Sequence, residues 1–133
     1  MDNKKLKVLI CEPLTPPRVA EIDATLEQEQ EIVGGFIDVH YPPAHHDETC
    51  LIINDEGKIE GLPPNRPVFD EDGKPYDVIA GTFIVVGAPA DSDEFASLTD
   101  AQVEKYAKMY APLLIPVGED KHGTLYACIR PAA

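Results

Sequence analysis

The sequence predicts a single α+β domain, built from a mostly antiparallel sheet with two helices packed on it. Short apolar runs recur along the chain and are separated by turn-forming Gly, Pro, Asn and Asp residues, which is typical of strands joined by tight turns. Two further segments have the capping residues and the apolar spacing of helices. The chain has 133 residues, 44% of them hydrophobic, which is enough for one folded core.

The N-terminal part is predicted to form a hairpin followed by a helix. The β-forming run 7–12 and the alternating run 18–22 flank a proline-rich break. Thr25 and Gln28 then have the spacing of a capping box, in which side chains satisfy the free N–H groups at a helix start. Gly34 follows the apolar positions of this helix and supplies the positive φ that commonly ends one.

The middle of the chain is predicted to contain strands and two acidic turns. Residues 36–41 form a third strand that ends at consecutive prolines. Residues 51–53 and 58–59 flank the turn motif 55–57, which predicts a hairpin with a glycine in the left-handed region. A similar motif at 71–73 predicts a second hairpin of the same kind.

The C-terminal part is predicted to contain the central strand, a second helix and a further hairpin. Residues 82–86 (TFIVV) form the most apolar short run, which indicates a strand covered on both faces. Thr99 and Gln102 repeat the capping-box spacing before a helix over 100–110. Residues 113–129 are compatible with either an additional hairpin or a flexible tail.

The net charge is strongly negative and limits the classes of function. It is −13, from 24 acidic and 11 basic residues, so most of the surface repels a phosphate backbone and direct nucleic-acid binding is not expected. The acidity can serve solubility, or it can mimic nucleic acid. No apolar run approaches the roughly 20 residues of a membrane span, and no secretory signal is recognised. A cytoplasmic protein without membrane contact is expected.

One segment holds a dense group of potential metal ligands. If it is extended, His46, Glu48 and Cys50 project to one side and offer three donors to zinc. The candidate metal ligands of the segment are His45, His46 and Cys50. The spacing matches no known zinc motif, and a solvated loop is the favoured interpretation. The three cysteines are expected to be buried, reduced thiols. No nucleophile, phosphate-loop or metalloprotease motif is present, so no catalytic residue, resident metal or cofactor is predicted.

Asn65 and Arg66 are the candidate binding residues. Neighbouring prolines stiffen this segment, and a polar pair displayed on a rigid connector suits recognition of a partner. The alternative is structural: Arg66 pairs with Asp70 or Asp77, and Asn65 holds the connector through backbone hydrogen bonds.

Several motifs together resemble a known family. They are IVGGFI (32–37), NDEGK (54–58), GLPPNR (61–66), DVIAGTF (77–83) and SLTD (97–100). In this combination the chain resembles a small prokaryotic domain family of unknown function, encoded in phages, plasmids and other mobile elements.

The resemblance covers about Lys7–Tyr110. It divides the chain into a family-like domain (1–110) and a C-terminal extension (111–133), and it implies no reaction, cofactor or catalytic residue.

The function expected from these observations is that of a non-enzymatic, protein-binding module of a mobile element, with an unidentified protein partner. Its contact surface is expected at Asn65, Arg66 and the adjacent acidic turns. Two alternatives stay open. One is an acidic DNA-mimic inhibitor of a host defence nuclease, of the anti-restriction or anti-CRISPR type. The other is a small metal-dependent enzyme that uses His45, His46 and Cys50.

Overall fold

The structure, a computed structural model, describes residues 4–130. Within that range the chain forms nine strands and two helices. In chain order they are β1 (Lys5–Cys11), β2 (Arg18–Asp23), α1 (Leu26–Val33), β3 (Ile37–His40), β4 (Thr49–Asn54), β5 (Pro64–Phe69), β6 (Pro75–Ala80), β7 (Phe83–Gly87), α2 (Asp100–Met109), β8 (Leu113–Asp120) and β9 (Gly123–Ile129).

A five-stranded antiparallel sheet forms the centre of the protein. Its strand order is β2-β1-β7-β4-β3, and β7 pairs with β1 on one side and with β4 on the other. Every residue of β7 is buried. The prediction of a central strand covered on both faces is therefore confirmed, because an apolar run without alternation needs burial on both sides.

Each face of the sheet has its own core. Because successive strand residues point to opposite faces, Ile84 and Val85 belong to different clusters. The face of Ile84 packs against α1 through Val33. The face of Val85 is covered by α2 and by the β5–β6 hairpin. The sheet thus lies between a helix on one side and a helix with a hairpin on the other.

The predicted fold class is correct only in part. Two helices and antiparallel pairing are present, but about 44% of the described residues are strand and 14% helix, and these strands form three separate sheets. β5–β6 and β8–β9 are two-stranded sheets of their own. One reason why β5 lies outside the main sheet is that it contains Pro64 and Pro67. Proline has no backbone N–H, so a strand with two prolines cannot form a complete hydrogen-bond ladder on both of its edges. The protein is therefore mainly β.

The helix boundaries follow the predicted capping residues. Thr25 accepts a hydrogen bond from the backbone N–H of Gln28 at 3.2 Å, and Gly34 ends α1 with a φ of 82°. At α2, Thr99 and Gln102 form the complete reciprocal capping box. These local signals satisfy backbone groups that the helices leave free.

Of the two predicted acidic hairpins, one is confirmed and one is wrong. The turn 71–73 joins β5 to β6, and Asp70 donates its N–H to the carbonyl of Lys74 at 2.9 Å. The turn 55–57 does not join two paired strands, because β4 pairs with β3 and β7 instead. The chain there makes a helical turn, in which the N–H of Glu60 donates to the carbonyl of Glu56 at 2.8 Å.

The C-terminal extension forms a hairpin, β8–β9, in the part of it that the structure describes. Residues 131–133 of the extension lie outside the described range. Neither α1 nor α2, the helices of residues 4–130, has the length and apolar character needed to cross a membrane. The cytoplasmic location stays a prediction.

Candidate functional site

Arg66 is held inside the protein by neutral oxygen atoms. Its side chain is 0% exposed. Nε donates to the carbonyl of Tyr110 at 2.8 Å, Nη1 donates to the carbonyl of Glu12 at 3.1 Å, and Nη2 donates to the carbonyl of Thr15 at 2.5 Å. Nη1 also donates to Oδ1 of Asn65 at 2.5 Å. The guanidinium thus ties the end of α2 to the loop after β1.

No carboxylate of the described residues lies within ion-pair distance of Arg66. Burial lowers the pKa of Arg66, because the charged form loses its hydration. The predicted pairing with Asp70 or Asp77 is wrong, and Asp77 pairs instead with Lys58. The planar guanidinium of Arg66 donates four hydrogen bonds to neutral oxygen atoms, and these stabilise the buried charge in place of a counter-ion.

The expectation that Asn65 and Arg66 are displayed on the surface is also wrong. Asn65 is 1% exposed, and its amide donates to the carbonyls of Cys11 at 2.8 Å and Gly81 at 2.9 Å. The segment is the start of β5 and not a free connector. Its polar side chains point inward, where they donate hydrogen bonds to backbone carbonyls of other segments. The alternative interpretation, in which Asn65 holds this segment through hydrogen bonds to the backbone, agrees with these contacts.

A second polar cluster lies on the same face of the sheet, at the other side of Tyr110. Tyr106 and Tyr110 are one helical turn apart on α2, and their side chains are 0% and 1% exposed. The hydroxyl of Tyr110 bonds Nε2 of His45 at 2.6 Å, and the imidazole stacks on the ring of Tyr106 with centroids 4.3 Å apart. Thr49 bonds Nδ1 of His45 at 3.0 Å. We call these residues, together with Asp47, the tyrosine–histidine cluster.

Asp47 fixes the direction of the hydrogen bonds in this cluster. Burial raises its pKa, but hydrogen bonds from Tyr106 and Thr49 and the charge of Lys105 lower it further than burial raises it. The ionised carboxylate can only accept, so Tyr106 and Thr49 both donate to it. These donors satisfy a carboxylate that is only partly exposed.

The proton on His45 follows from these directions. Thr49 uses its single hydrogen on Asp47, so its oxygen accepts from Nδ1–H of His45, and Nε2 accepts from the hydroxyl of Tyr110. Burial lowers the pKa of His45 to about 4, and the charge of Asp47 offsets only part of this. A weakly basic imidazole beside a hydroxyl that is almost fully buried does not favour nucleophilic catalysis by Thr49.

The three candidate metal ligands do not converge. His45 belongs to the tyrosine–histidine cluster, whereas His46 lines a neighbouring surface cleft of about 490 Å³. Cys50 is buried in the core on the opposite face of the sheet, because it follows Thr49 in β4 and side chains alternate along a strand. Residues 4–130 contain no group of three donors able to hold a metal ion. The zinc hypothesis is therefore wrong for these residues.

The cysteines also depart from the prediction in one case. Cys11 and Cys50 are buried, and burial raises the pKa of each thiol to about 12. Cys128 is exposed on β9. The first two are inert core residues, whereas the third is accessible to reagents.

A separate exposed turn follows β4, and buried contacts of its own hold it in place. We call residues 55–60 the acidic turn. The amide of Asn54 donates to the carbonyl of Val33 at 3.1 Å and its oxygen accepts from the N–H of Glu56 at 2.8 Å. Gly57 lies against β6, where an added Cβ would come within 2.6 Å of the carbonyl oxygen of Ala80. The turn is thus fixed from both sides.

Two exposed apolar side chains lie at the acidic turn: Ile59 within it, and Phe36 next to it, where the N–H of Asp55 donates to the carbonyl of Phe36 at 2.9 Å. Ile59 is 87% exposed and Phe36 is 74% exposed, although both are large and apolar. Ile59 lines a cleft of about 320 Å³ beside β6, and Phe36 lines one of about 290 Å³ beside α1. Asn54 and Glu56 line both clefts. The two clefts therefore share one wall and form a continuous surface.

Neither residue is predicted from the sequence to belong to a site. The sequence predicts Phe36 in a strand and Ile59 in the second strand of a hairpin that does not form. For Ile59 one signal was available, since it is a single apolar residue between Lys58 and Glu60 without further alternation. An isolated apolar side chain among charges is more typical of a surface turn than of a half-buried strand.

Comparison with known proteins identifies one family. The family model described as Domain of unknown function (DUF3846) matches residues 6–111. Neither the curated proteins nor the solved structures contain a match to the chain. The matched region contains the five-stranded sheet, both helices and the β5–β6 hairpin, and it ends before β8.

Proposed function

We propose that this chain, which belongs to the DUF3846 family of domains of unknown function, is a non-enzymatic protein-binding module of a phage or plasmid type of mobile element. Its contact surface is the acidic turn together with Phe36. The buried residues Asn65 and Arg66 support the scaffold behind this surface, and their side chains do not touch the partner.

The observation that carries the proposal is the exposure of Ile59 and Phe36 at 87% and 74%. A water-exposed Ile or Phe side chain forgoes about 1.5–3 kcal/mol of burial energy. Two such side chains beside the same turn, each lining a cleft, form the kind of apolar anchor that dominates protein interfaces. Single exposed apolar residues need no explanation, but this pair shares one surface.

The charges around the anchors specify the partner's chemistry. Asp55, Glu56 and Glu60 are exposed on the turn, and the one lysine there, Lys58, is already paired with Asp77. The surface therefore has an uncompensated negative rim around apolar side chains. A basic amphipathic segment of a protein, with Lys or Arg flanking apolar residues, complements both features.

The turn is also preorganised for binding. Asn54 and Gly57 fix its backbone, so a partner meets an ordered surface and little conformational entropy is lost on association. This local order explains how a short turn can present its side chains in a defined geometry.

The experiment is affinity capture from a bacterial host lysate, with a double variant as the probe of the surface. Phe36→Ser together with Ile59→Ser should abolish capture of a specific protein. The matched control is Val19→Ser, which removes an apolar side chain that is 54% exposed on a different edge of the protein. A Lys/Arg-rich amphipathic peptide taken from the captured protein should compete with it.

The alternative functions give different results in the same experiment. Capture that survives in the double variant contradicts the proposed surface. A DNA mimic is favoured by the acidity of the whole chain, and it predicts a captured nuclease that duplex DNA displaces and that about 0.5 M salt releases. Binding that needs the two apolar side chains and resists duplex DNA supports the protein-binding proposal.

A further inference from the structure

The β8–β9 hairpin is an addition to the family domain. The family match ends at residue 111, and β8 begins at Leu113. The hairpin forms a two-stranded sheet of its own, with β8 against β5 and β9 on the outside. A two-stranded sheet is marginally stable in water unless its surfaces are covered.

Most of the hairpin is apolar and uncharged, and the two charged residues of β8, Glu119 and Asp120, lie at its turn end. Residues 113–118 and 123–129 contain no charged side chain, although the whole chain has a net charge of −13. Leu125, Tyr126 and Ile129 on β9 are 46%, 40% and 43% exposed. Two identical acidic chains repel each other at most of their surface, and this repulsion is weakest where neither chain has a charge.

The edge of β9 lacks the features that protect the other strand edges. β2 and β3 form the edges of the main sheet, and they contain charged residues such as Glu21 and Asp38. β8 contains Pro116 and an irregularity in register beside it. Charges, prolines and bulges all prevent an edge strand from pairing with another chain. β9 contains none of them and has no partner on its outer side among residues 4–130.

We propose that β9 pairs with β9 of a second copy of this chain. The two strands run antiparallel across a twofold axis and produce a four-stranded sheet in the order β8-β9-β9-β8. A twofold interface is self-complementary, so a single unprotected edge suffices. The pairing satisfies the outer N–H and C=O groups of β9 and places Leu125, Tyr126 and Ile129 beside side chains of the neighbouring strand.

The thiol of Cys128 provides a probe in the native chain. Cys11 and Cys50 are buried, so a short bismaleimide reacts at Cys128 on β9. Antiparallel pairing brings the two Cys128 thiols to the same interface, and the reagent should join two chains. Cys128→Ser should remove the cross-link, and sedimentation velocity should give twice the monomer mass of 14.5 kDa for the unmodified protein.

The decisive variant is Tyr126→Lys, which places a charge on the unprotected strand. It should weaken self-association by more than about tenfold and remove the cross-link. The matched control is Val19→Lys, which places the same charge on the edge strand β2 and should leave association unchanged. Unchanged far-UV circular dichroism shows that the variants are folded.

Salt distinguishes this association from binding to a basic partner. Raising ionic strength from about 0.02 M to about 0.5 M screens the repulsion between two acidic chains, so dimerisation should strengthen. Binding of a basic segment at the acidic turn should weaken over the same range. A wild-type chain that sediments as a monomer at all concentrations, or a dimer that is insensitive to Tyr126→Lys, overturns the proposal.

Discussion

Replacement of Arg66 by methionine tests whether the buried guanidinium is part of the scaffold. The variant removes four hydrogen bonds. The carbonyl of Glu12 keeps a donor in Thr15, but three oxygens lose theirs: the carbonyls of Thr15 and Tyr110 and Oδ1 of Asn65. A buried group that is left unsatisfied costs about 1–3 kcal/mol, which applies to the oxygens of Tyr110 and Asn65. The carbonyl of Thr15 is only part-buried, so water can replace its donor.

Part of that loss is offset, because the variant no longer buries a cation. We therefore expect the free energy of unfolding to fall by about 2–4 kcal/mol, which is less than the summed cost of the unsatisfied groups. Domains of this size are stable by about 5–15 kcal/mol, so the variant should unfold at a clearly lower urea concentration.

The assay is urea unfolding followed by far-UV circular dichroism. The matched control is Arg18→Met, because Arg18 also contacts Glu12 but is 56% exposed, and its ion pair should contribute less than about 1 kcal/mol. If the two variants lose the same small amount of stability, the buried network contributes little and the reasoning about Arg66 is refuted. A large loss for Arg66→Met alone supports it.

Three further predictions concern other parts of the fold. Below pH 6.5 the unfolded chain binds a proton at His45, whereas in the folded chain the pKa of His45 is lowered to about 4. The free energy of unfolding should therefore fall by roughly 2–3 kcal/mol between pH 6.5 and pH 4, as measured by urea unfolding at each pH. The decrease should be smaller in His45→Asn. Gly57→Ala should destabilise the protein by about 1–3 kcal/mol in thermal unfolding, whereas Gly118→Ala, where an added Cβ meets no atom within 4 Å, should not. Thr99→Ala removes the acceptor of the capping box and should cost about 1 kcal/mol in the same measurement; an unchanged melting temperature contradicts this assignment.

The sequence alone determined the features that depend on neighbouring residues. Thr25, Gly34, Thr99 and Gln102 mark the helix ends because their side chains or dihedral angles satisfy free backbone groups within one turn. The turn 71–73 and the central strand β7 were predictable for the same reason, since their patterns complete themselves within a few residues.

The tertiary structure alone decided which surfaces are buried. Two similar acidic motifs have different structures because β4 finds its partners in β3 and β7, which no local pattern encodes. Arg66 is buried because carbonyls from the loop after β1 and from the end of α2 meet at one point.

The acidic turn has its exposed anchors for the same reason: Asn54 and Gly57 are held by residues distant in the sequence. Segments far apart in the chain supply these contacts, so a sequence shows which groups need partners, and only the folded chain shows which partners they find.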